Sequence, residues 1–165
     1  MTEASTAFPS SDHDHGSCVA HAVAKAEELC RSRGLRLTEI RRRVLELVWE
    51  RHGPVGAYAL LDTLRSEGMA AAPPTVYRAL DFLQEQGLVH RIERLNAFVG
   101  CGQPDAPHSG QFLICSECGL AAEIDDPAID RALTQAAVAL GFELRGKTVE
   151  LEGLCPDCRR SGNGR

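Results

Sequence analysis

Two Cys-x-x-Cys pairs constrain this chain more than any other feature: Cys115 with Cys118, and Cys155 with Cys158. Each pair places two thiolates on one tight turn, and two such turns complete a tetrahedron. Four sulfur ligands fill the coordination sphere of zinc and leave no open position. The spacing therefore predicts a structural zinc site that stabilises the fold and does no catalysis. An iron–sulfur cluster and a dithiol redox pair are the competing interpretations.

Length and composition favour a folded protein of one medium domain or two small ones. The chain has 165 residues, of which 44% are hydrophobic and 25% charged. Its first residues resemble no signal peptide, and no run of about 18 apolar residues exists. We therefore expect a cytoplasmic protein without a membrane span. In that compartment paired cysteine motifs indicate a metal rather than disulfides.

The net charge of −5 argues at first against nucleic acid, but the charge is unevenly distributed. Six arginines lie between positions 31 and 43 with one acidic residue among them, whereas residues 101–165 hold six basic and ten acidic residues. Local rather than total charge meets DNA phosphates. Arg41 and Arg42 are therefore predicted to contact the DNA backbone, and a solvated helix face is the alternative.

Residues 73–93, PPTVYRALDFLQEQGLVHRIE, predict a short helix followed by an extended basic segment. Two prolines suit the first turn, apolar residues then recur with helical spacing, and Gly87 suits a helix stop. Thr75 is expected to help cap the helix start. Thr75, Tyr77 and Arg78 lie near its exposed N-terminal end and are predicted to contact DNA, because helices in the DNA major groove meet base edges there. An ordinary amphipathic helix is the alternative.

The order of elements predicts an α+β protein with an N-terminal winged helix-turn-helix domain and a small C-terminal α/β dimerisation domain. In the second domain, residues 127–140 predict a helix with an apolar inner face, and residues 142–151 alternate as strands do. A domain this small usually needs a metal and a dimer partner. The expected divisions are a flexible arm at 1–17, the winged-helix domain at 18–99, a hinge at 100–110, the dimerisation domain at 111–160 and a tail at 161–165.

A second set of candidate ligands is drawn from both predicted domains: His90, Cys101, His108 and Glu123. A metal held by these nitrogen, sulfur and oxygen donors would fix one domain against the other. The soft thiolate favours zinc over iron or manganese. The alternative is four unconnected residues.

Two smaller features stay open. The N-terminal histidines and a nearby cysteine are suitable ligand types for a third metal, although termini often carry stray histidines. An acid and a base three residues apart on the third predicted helix either pair with each other or contact an adjacent dimer on DNA. The residues concerned are His13, His15, Cys18 and His21 for the first feature, and Asp62 and Arg65 for the second.

The run from Pro73 to Leu83, the following Gly-Leu-Val-His and the twin cysteine pairs resemble the ferric uptake regulator superfamily, most closely its zinc uptake regulator branch. The resemblance covers about residues 19–158. It implies that Cys115, Cys118, Cys155 and Cys158 bind structural zinc, that His90, Cys101, His108 and Glu123 bind regulatory zinc, and that Tyr77 and Arg78 contact DNA. Iron and peroxide members usually carry a His-rich stretch before the first cysteine pair, and this chain has one histidine there.

The resemblance further implies a zinc-responsive repressor of zinc-acquisition genes. Such a protein binds double-stranded operator DNA as a homodimer, with two dimers on one operator as a further option, and holds two zinc ions per subunit. A family member that responds to iron, manganese or thiol oxidation is the alternative. An enzyme is not expected, because the zinc-deaminase pattern of His-x-Glu followed by Pro-Cys-x-x-Cys is absent. An interaction module would leave the arginines and the predicted DNA helix unexplained.

Overall fold

The structure is a computed structural model that describes residues 8, 14–51, 53–106 and 108–162. It confirms the predicted α+β class. The described residues form two compact units, 14–106 and 108–162, whose junction falls within the predicted hinge. Most of the predicted N-terminal arm and the last three residues of the predicted tail lie outside the described residues. Within the described part, every helix is too short or too polar to cross a bilayer.

The first unit consists of four helices followed by a β-hairpin, the arrangement of a winged helix-turn-helix. The two antiparallel strands pair from Val89 opposite Gly100 to Ile92 opposite Ala97, which forms the wing. The elements are α1 (His15–Ser32), α2 (Glu39–Trp49), α3 (Ala57–Ser66), α4 (Pro73–Glu85), β1 (Val89–Ile92) and β2 (Ala97–Gly100).

Local sequence signals set the ends of these helices. The Thr38 hydroxyl accepts a hydrogen bond from the Arg41 amide at 3.4 Å, which caps α2. Gly87 ends the α4 region at φ 74°, a conformation that costs glycine little. The expectation for Thr75 was wrong. The two prolines start α4 at Pro73, so Ala72 rather than Thr75 is the N-cap. The Ala72 side chain forms no capping hydrogen bond.

The core of this unit lies between α1, α2, α3 and α4, and the predicted apolar stripes form it. Leu80 and Leu83 of α4 are fully buried, as is Leu64 of α3. The wing is attached to this core where Val55 bridges Phe98 of β2, with N···O distances of 2.9 and 3.0 Å. Packing therefore fixes both α4 and the wing on one scaffold.

The second unit is a three-stranded sheet with order β4-β3-β5. The central strand β3 pairs antiparallel with β4 and parallel with β5, and the chain between β4 and β5 contains α5. Buried Gln111 on β3 donates to the Asp126 carbonyl at 3.1 Å and so holds the start of α5. The elements are β3 (Gly110–Cys115), β4 (Ala121–Ile124), α5 (Pro127–Ala139), β5 (Thr148–Gly153) and α6 (Pro156–Ser161).

Within the part of the chain that the structure describes, nothing covers the expected inner face of α5. The helix has no buried residue, and Leu140, one residue beyond it, is 86% exposed. Strand β5 begins only at Thr148, so the predicted strand over 142–151 starts too early. Several large apolar side chains of this unit are exposed: Leu133, Val138, Leu140, Phe142, Leu151 and Leu154.

Candidate metal sites and DNA-reading helix

The four paired cysteines converge at one end of the sheet of the second unit. Cys115 ends β3, and Cys155 is the N-cap of α6. Both are buried, and all four sulfur atoms lie within 4.8 Å of one another. The Cys118 and Cys155 sulfurs are 3.8 Å apart. The arrangement fits a tetrahedral four-thiolate zinc site with no open position.

Backbone amides support negative charge at this site. The amides of Cys118 and Cys155 lower the pKa of the Cys115 thiol to about 6, and the Cys155 N–H donates to its sulfur at 3.3 Å. The pKa of Cys158 is instead raised, because its thiol is hydrogen-bonded to Cys155 and Cys118 and a further thiolate would meet existing negative charge. A bound dication removes that conflict, so the chemistry of the donor set favours a metal.

The second predicted ligand set falls into two pairs, one in each unit. In the first unit, His90 lies on β1 opposite Val99, and Cys101 follows β2. The Cys101 amide donates to the Leu88 carbonyl at 3.0 Å, and the Cys101 side chain is buried. The ligand atoms of His90 and Cys101 lie within 4.8 Å of each other.

The other pair lies in the second unit, which contains the three-stranded sheet. His108 precedes β3, and Glu123 lies on β4 opposite Phe112. The His108 Nε2 and Glu123 Oε1 atoms are 2.8 Å apart, and the two side chains are only 9% and 20% exposed. Each unit thus presents two neighbouring zinc-type donors.

The candidate DNA-reading helix α4 buries one face and exposes the other. Val76, Ala79 and Leu83 point into the core, whereas Tyr77 is 37% exposed and Arg78 is fully on the exposed side. Thr75, the third residue of the helix, is half-buried. This geometry leaves the N-terminal side chains of α4 accessible.

The arginines at the start of α2 have partners within the chain. The Arg41 guanidinium lies 3.6 Å from the centroid of the Phe82 ring and donates to the Arg36 carbonyl at 2.8 Å. Arg42 forms an ion pair with Glu27. Both side chains are half-buried. These contacts attach α2 to α4 and to α1.

The remaining sequence candidates are spread over the first unit. Asp62 and Arg65 are both exposed on α3, and within the described residues no ion pair links them. Arg65 instead donates to the Ala71 carbonyl at 3.1 Å.

The N-terminal ligand candidates fall partly within α1. Cys18 and His21 lie on α1, His13 lies outside the described residues, and His15 is the first residue of α1.

One close packing contact went unrecognised in the sequence. The Trp49 indole of α2 lies directly on the backbone of Gly100, beside the candidate ligand Cys101. A methyl group at Gly100 would lie 2.3 Å from Trp49 Cε2. A tryptophan next to a helix break and a glycine at a strand end carry no joint signal, because they are far apart in sequence.

A winged helix-turn-helix unit joined to a sheet unit with a closed four-thiolate site defines a metal-binding DNA-binding regulator. The chain belongs to the ferric uptake regulator family, whose model matches residues 32–152. It is 43% identical over 137 residues to the zinc uptake regulation protein of Escherichia coli K12, covering 82% of this chain and 80% of that relative. Its curated relatives are described as regulators rather than enzymes.

Solved structures agree. A zinc uptake regulator complexed with zinc and DNA matches with a TM-score of 0.84 at 40% identity, over 88% of this chain and 97% of that one. The holo form of XcZur matches with a TM-score of 0.78 at 49% identity, over 84% and 96% of the two chains.

Proposed function

We propose that this protein is a zinc-responsive transcriptional repressor of the cytoplasm. It binds operator DNA as a zinc-loaded homodimer and controls genes for zinc acquisition. The observation that carries the proposal is the division of the second ligand set into two pairs, one per unit. A similar chain of known structure is described as complexed with zinc and DNA, which supports the same combination here.

The proposed sensing site joins the pair His90 and Cys101 to the pair His108 and Glu123. Neither pair alone satisfies a four-coordinate ion, whereas together they offer two imidazoles, a thiolate and a carboxylate. The thiolate of Cys101 favours zinc over harder iron or manganese ions. With the four-cysteine site, each subunit would hold two zinc ions, one structural and one regulatory.

Zinc binding would then couple to DNA binding, because an ion held by both ligand pairs limits the movement of one unit against the other. An ion bound by both pairs restricts the reading helices to orientations that fit successive major grooves. A coupling free energy of about 1–3 kcal/mol changes DNA affinity roughly 5- to 150-fold, which is enough for regulation. Loss of zinc restores this movement and lifts repression.

The homodimer is supported by the uncovered apolar side of the sheet unit. Leu140 is 86% and Phe142 64% exposed, and β5 is an edge strand. Large exposed apolar side chains on so small a unit indicate an interface. A second copy related by a two-fold axis would cover the same face on both subunits.

DNA contacts are assigned to the accessible end of α4. Arg78 can make a bidentate contact to guanine, Tyr77 can pack on a thymine methyl, and Thr75 can reach the backbone. Arg41 is proposed to meet phosphates beside α4, since stacking on an aromatic ring leaves guanidinium N–H groups able to donate. Arg42 is proposed to do the same with the N–H groups that its ion pair with Glu27 leaves available. The exposed Asp62 and Arg65 are the proposed contact between two dimers on one operator.

The decisive experiment selects genomic DNA fragments with the purified protein at buffered free zinc, and in parallel with ferrous iron and manganese. Enrichment of one palindromic site with zinc alone supports the proposal. Enrichment with iron or manganese would transfer the function to another metal. No enrichment with any metal, while the four-cysteine site retains zinc, would refute the repressor.

A further inference from the structure

A cavity in the first unit has no part in the function proposed so far. It has a volume of about 380 Å³ and lies between α1, the end of α2 and the segment that follows β2. Leu45, Trp49 and Leu88 line its apolar wall, and Cys101 also lines it. The cavity in the first unit therefore borders Cys101, a ligand of the proposed sensing site.

One face of α1 lines this cavity with zinc-type ligands. Cys18 and His21 are three residues apart, so they are neighbours on the helix surface. A thiolate and an imidazole are the two most common zinc ligands. Lys25, one turn further, also lines the cavity, but Asp105 neutralises its charge through an ion pair of 2.5 Å.

Exposure falls from the mouth of the cavity inward. His21 is exposed, Cys18 is half-buried and Cys101 is only 3% exposed. A buried cysteine that binds a metal must lose a proton and needs an entry path for the ion. Exposure therefore decreases from His21 through Cys18 to Cys101 among the side chains that line the cavity.

We propose that Cys18 and His21, with Cys101 as the third ligand, form an additional site for zinc in this cavity, and that zinc reaches the sensing site through it. Among the described residues, Cys18 and His21 belong to no group of three ligand atoms within 4.8 Å. The side chains must therefore rotate to share one ion, so the site binds more weakly than the four cysteines and exchanges zinc faster.

The ligand exchange involves no change of oxidation state. If the site fills, the Cys18 and Cys101 thiols would each release a proton to water, and their sulfurs and the His21 imidazole would bind the ion. On transfer, Cys101 would keep its bond to the ion while His90, His108 and Glu123 replace Cys18 and His21, and Cys18 would take a proton back from water. Only this transfer step rests on the proposed sensing function; binding in the cavity does not.

The binding test uses the full chain with the substitutions His108→Ala and Glu123→Ala, which remove the ligand pair of the sheet unit. Zinc stays at the four cysteines, and Co²⁺ is added as the spectroscopic probe, because its thiolate charge-transfer bands count bound sulfurs. We expect one further Co²⁺ per subunit with the absorption of two thiolates.

In that background, Cys18→Ser should reduce the charge-transfer absorption to that of one thiolate, and His21→Ala should weaken Co²⁺ binding at least about tenfold. Ser17→Ala is the matched control, because Ser17 lines the same cavity without offering a soft ligand. If the Cys18→Ser protein gives the same spectrum and affinity as its parent, Cys18 does not bind Co²⁺ and the cavity site is refuted.

The transfer test uses the otherwise unaltered chain and the emission of its single tryptophan, Trp49, which lines the same cavity. We expect Cys18→Ser to slow the zinc-dependent change at least about tenfold while the final zinc affinity of the sensing site stays the same. An unchanged rate would overturn the transfer step. Failure of the repressor function would appear separately, as loss of zinc-dependent DNA binding with the cobalt result intact.

Discussion

The contact between Trp49 and Gly100 permits a sharp test of the packing that supports the wing. Substitution Gly100→Ala adds a methyl group that would lie 2.3 Å from Trp49 Cε2 and 2.4 Å from Nε1. Non-bonded carbon atoms in contact are separated by about 3.5–4.0 Å. The indole is a rigid ring system on α2, so the ring or the strand must move by more than 1 Å, as estimated from those two distances.

The expected cost follows from two opposing effects. Overpacking a well-packed site costs about 1–3 kcal/mol. Replacing glycine by alanine at a compatible backbone position otherwise stabilises by about 0.4–1 kcal/mol, because the unfolded chain loses freedom. Gly100 does not have a positive φ, so steric overlap is the dominant effect and we expect a net loss of about 1–2 kcal/mol.

The assay is urea denaturation of the full chain, followed by Trp49 emission and by circular dichroism. Gly102→Ala is a matched control two residues away, where an added methyl group meets nothing within 4 Å, so its stability should be unchanged or slightly higher. In a Trp49→Leu background, Gly100→Ala should cost much less, because the ring is gone. If Gly100→Ala is as stable as Gly102→Ala, the packing argument is refuted.

Three further predictions concern the metal sites and the DNA surface. Cys101→Ser should abolish zinc-dependent DNA binding while the protein stays folded with one zinc per subunit, measured by gel shift and metal analysis; a normal zinc response would show that the sensing site is wrongly assigned. Cys118→Ser should lose the structural zinc and give unstable or aggregated protein in thermal melts and light scattering, whereas a stable, zinc-free dimer would contradict the structural role. Arg78→Ala should cost about 1–3 kcal/mol of discrimination in competitive binding, and an equal loss on random DNA would mean a phosphate contact only.

The sequence predicted well those elements whose signals are local. The helix α4 follows from two prolines, a helical apolar pattern and a glycine stop, all within fifteen consecutive positions. The convergence of the four cysteines was also predictable. Each pair forms its own turn, and one zinc ion needs both turns for its four ligands. The helix α6 was missed, since six residues that begin at Pro156 give too short a pattern to distinguish from a loop.

The surroundings of the arginines could not be read from the sequence. A cluster of like charge indicates a basic surface, yet Arg42 pairs with Glu27, and Arg43 forms ion pairs with Glu46, Glu50 and Glu67. The Glu27 and Glu67 partners come from other helices. Their approach depends on how the helices cross, which the apolar patterns restrict but do not fix.

The amino-acid sequence by itself determined the family, the winged helix-turn-helix order, the four-thiolate site and the identity of the candidate sensing ligands. The first three depend on short-range spacing and on the chemistry of single side chains, whereas the set of sensing ligands was selected by the resemblance to the family. Only the tertiary structure decided that Trp49 covers Gly100, that α5 leaves its apolar face uncovered, and that Cys18, His21 and Cys101 line one cavity. Such contacts join residues distant in the chain, and side-chain packing between elements selects them.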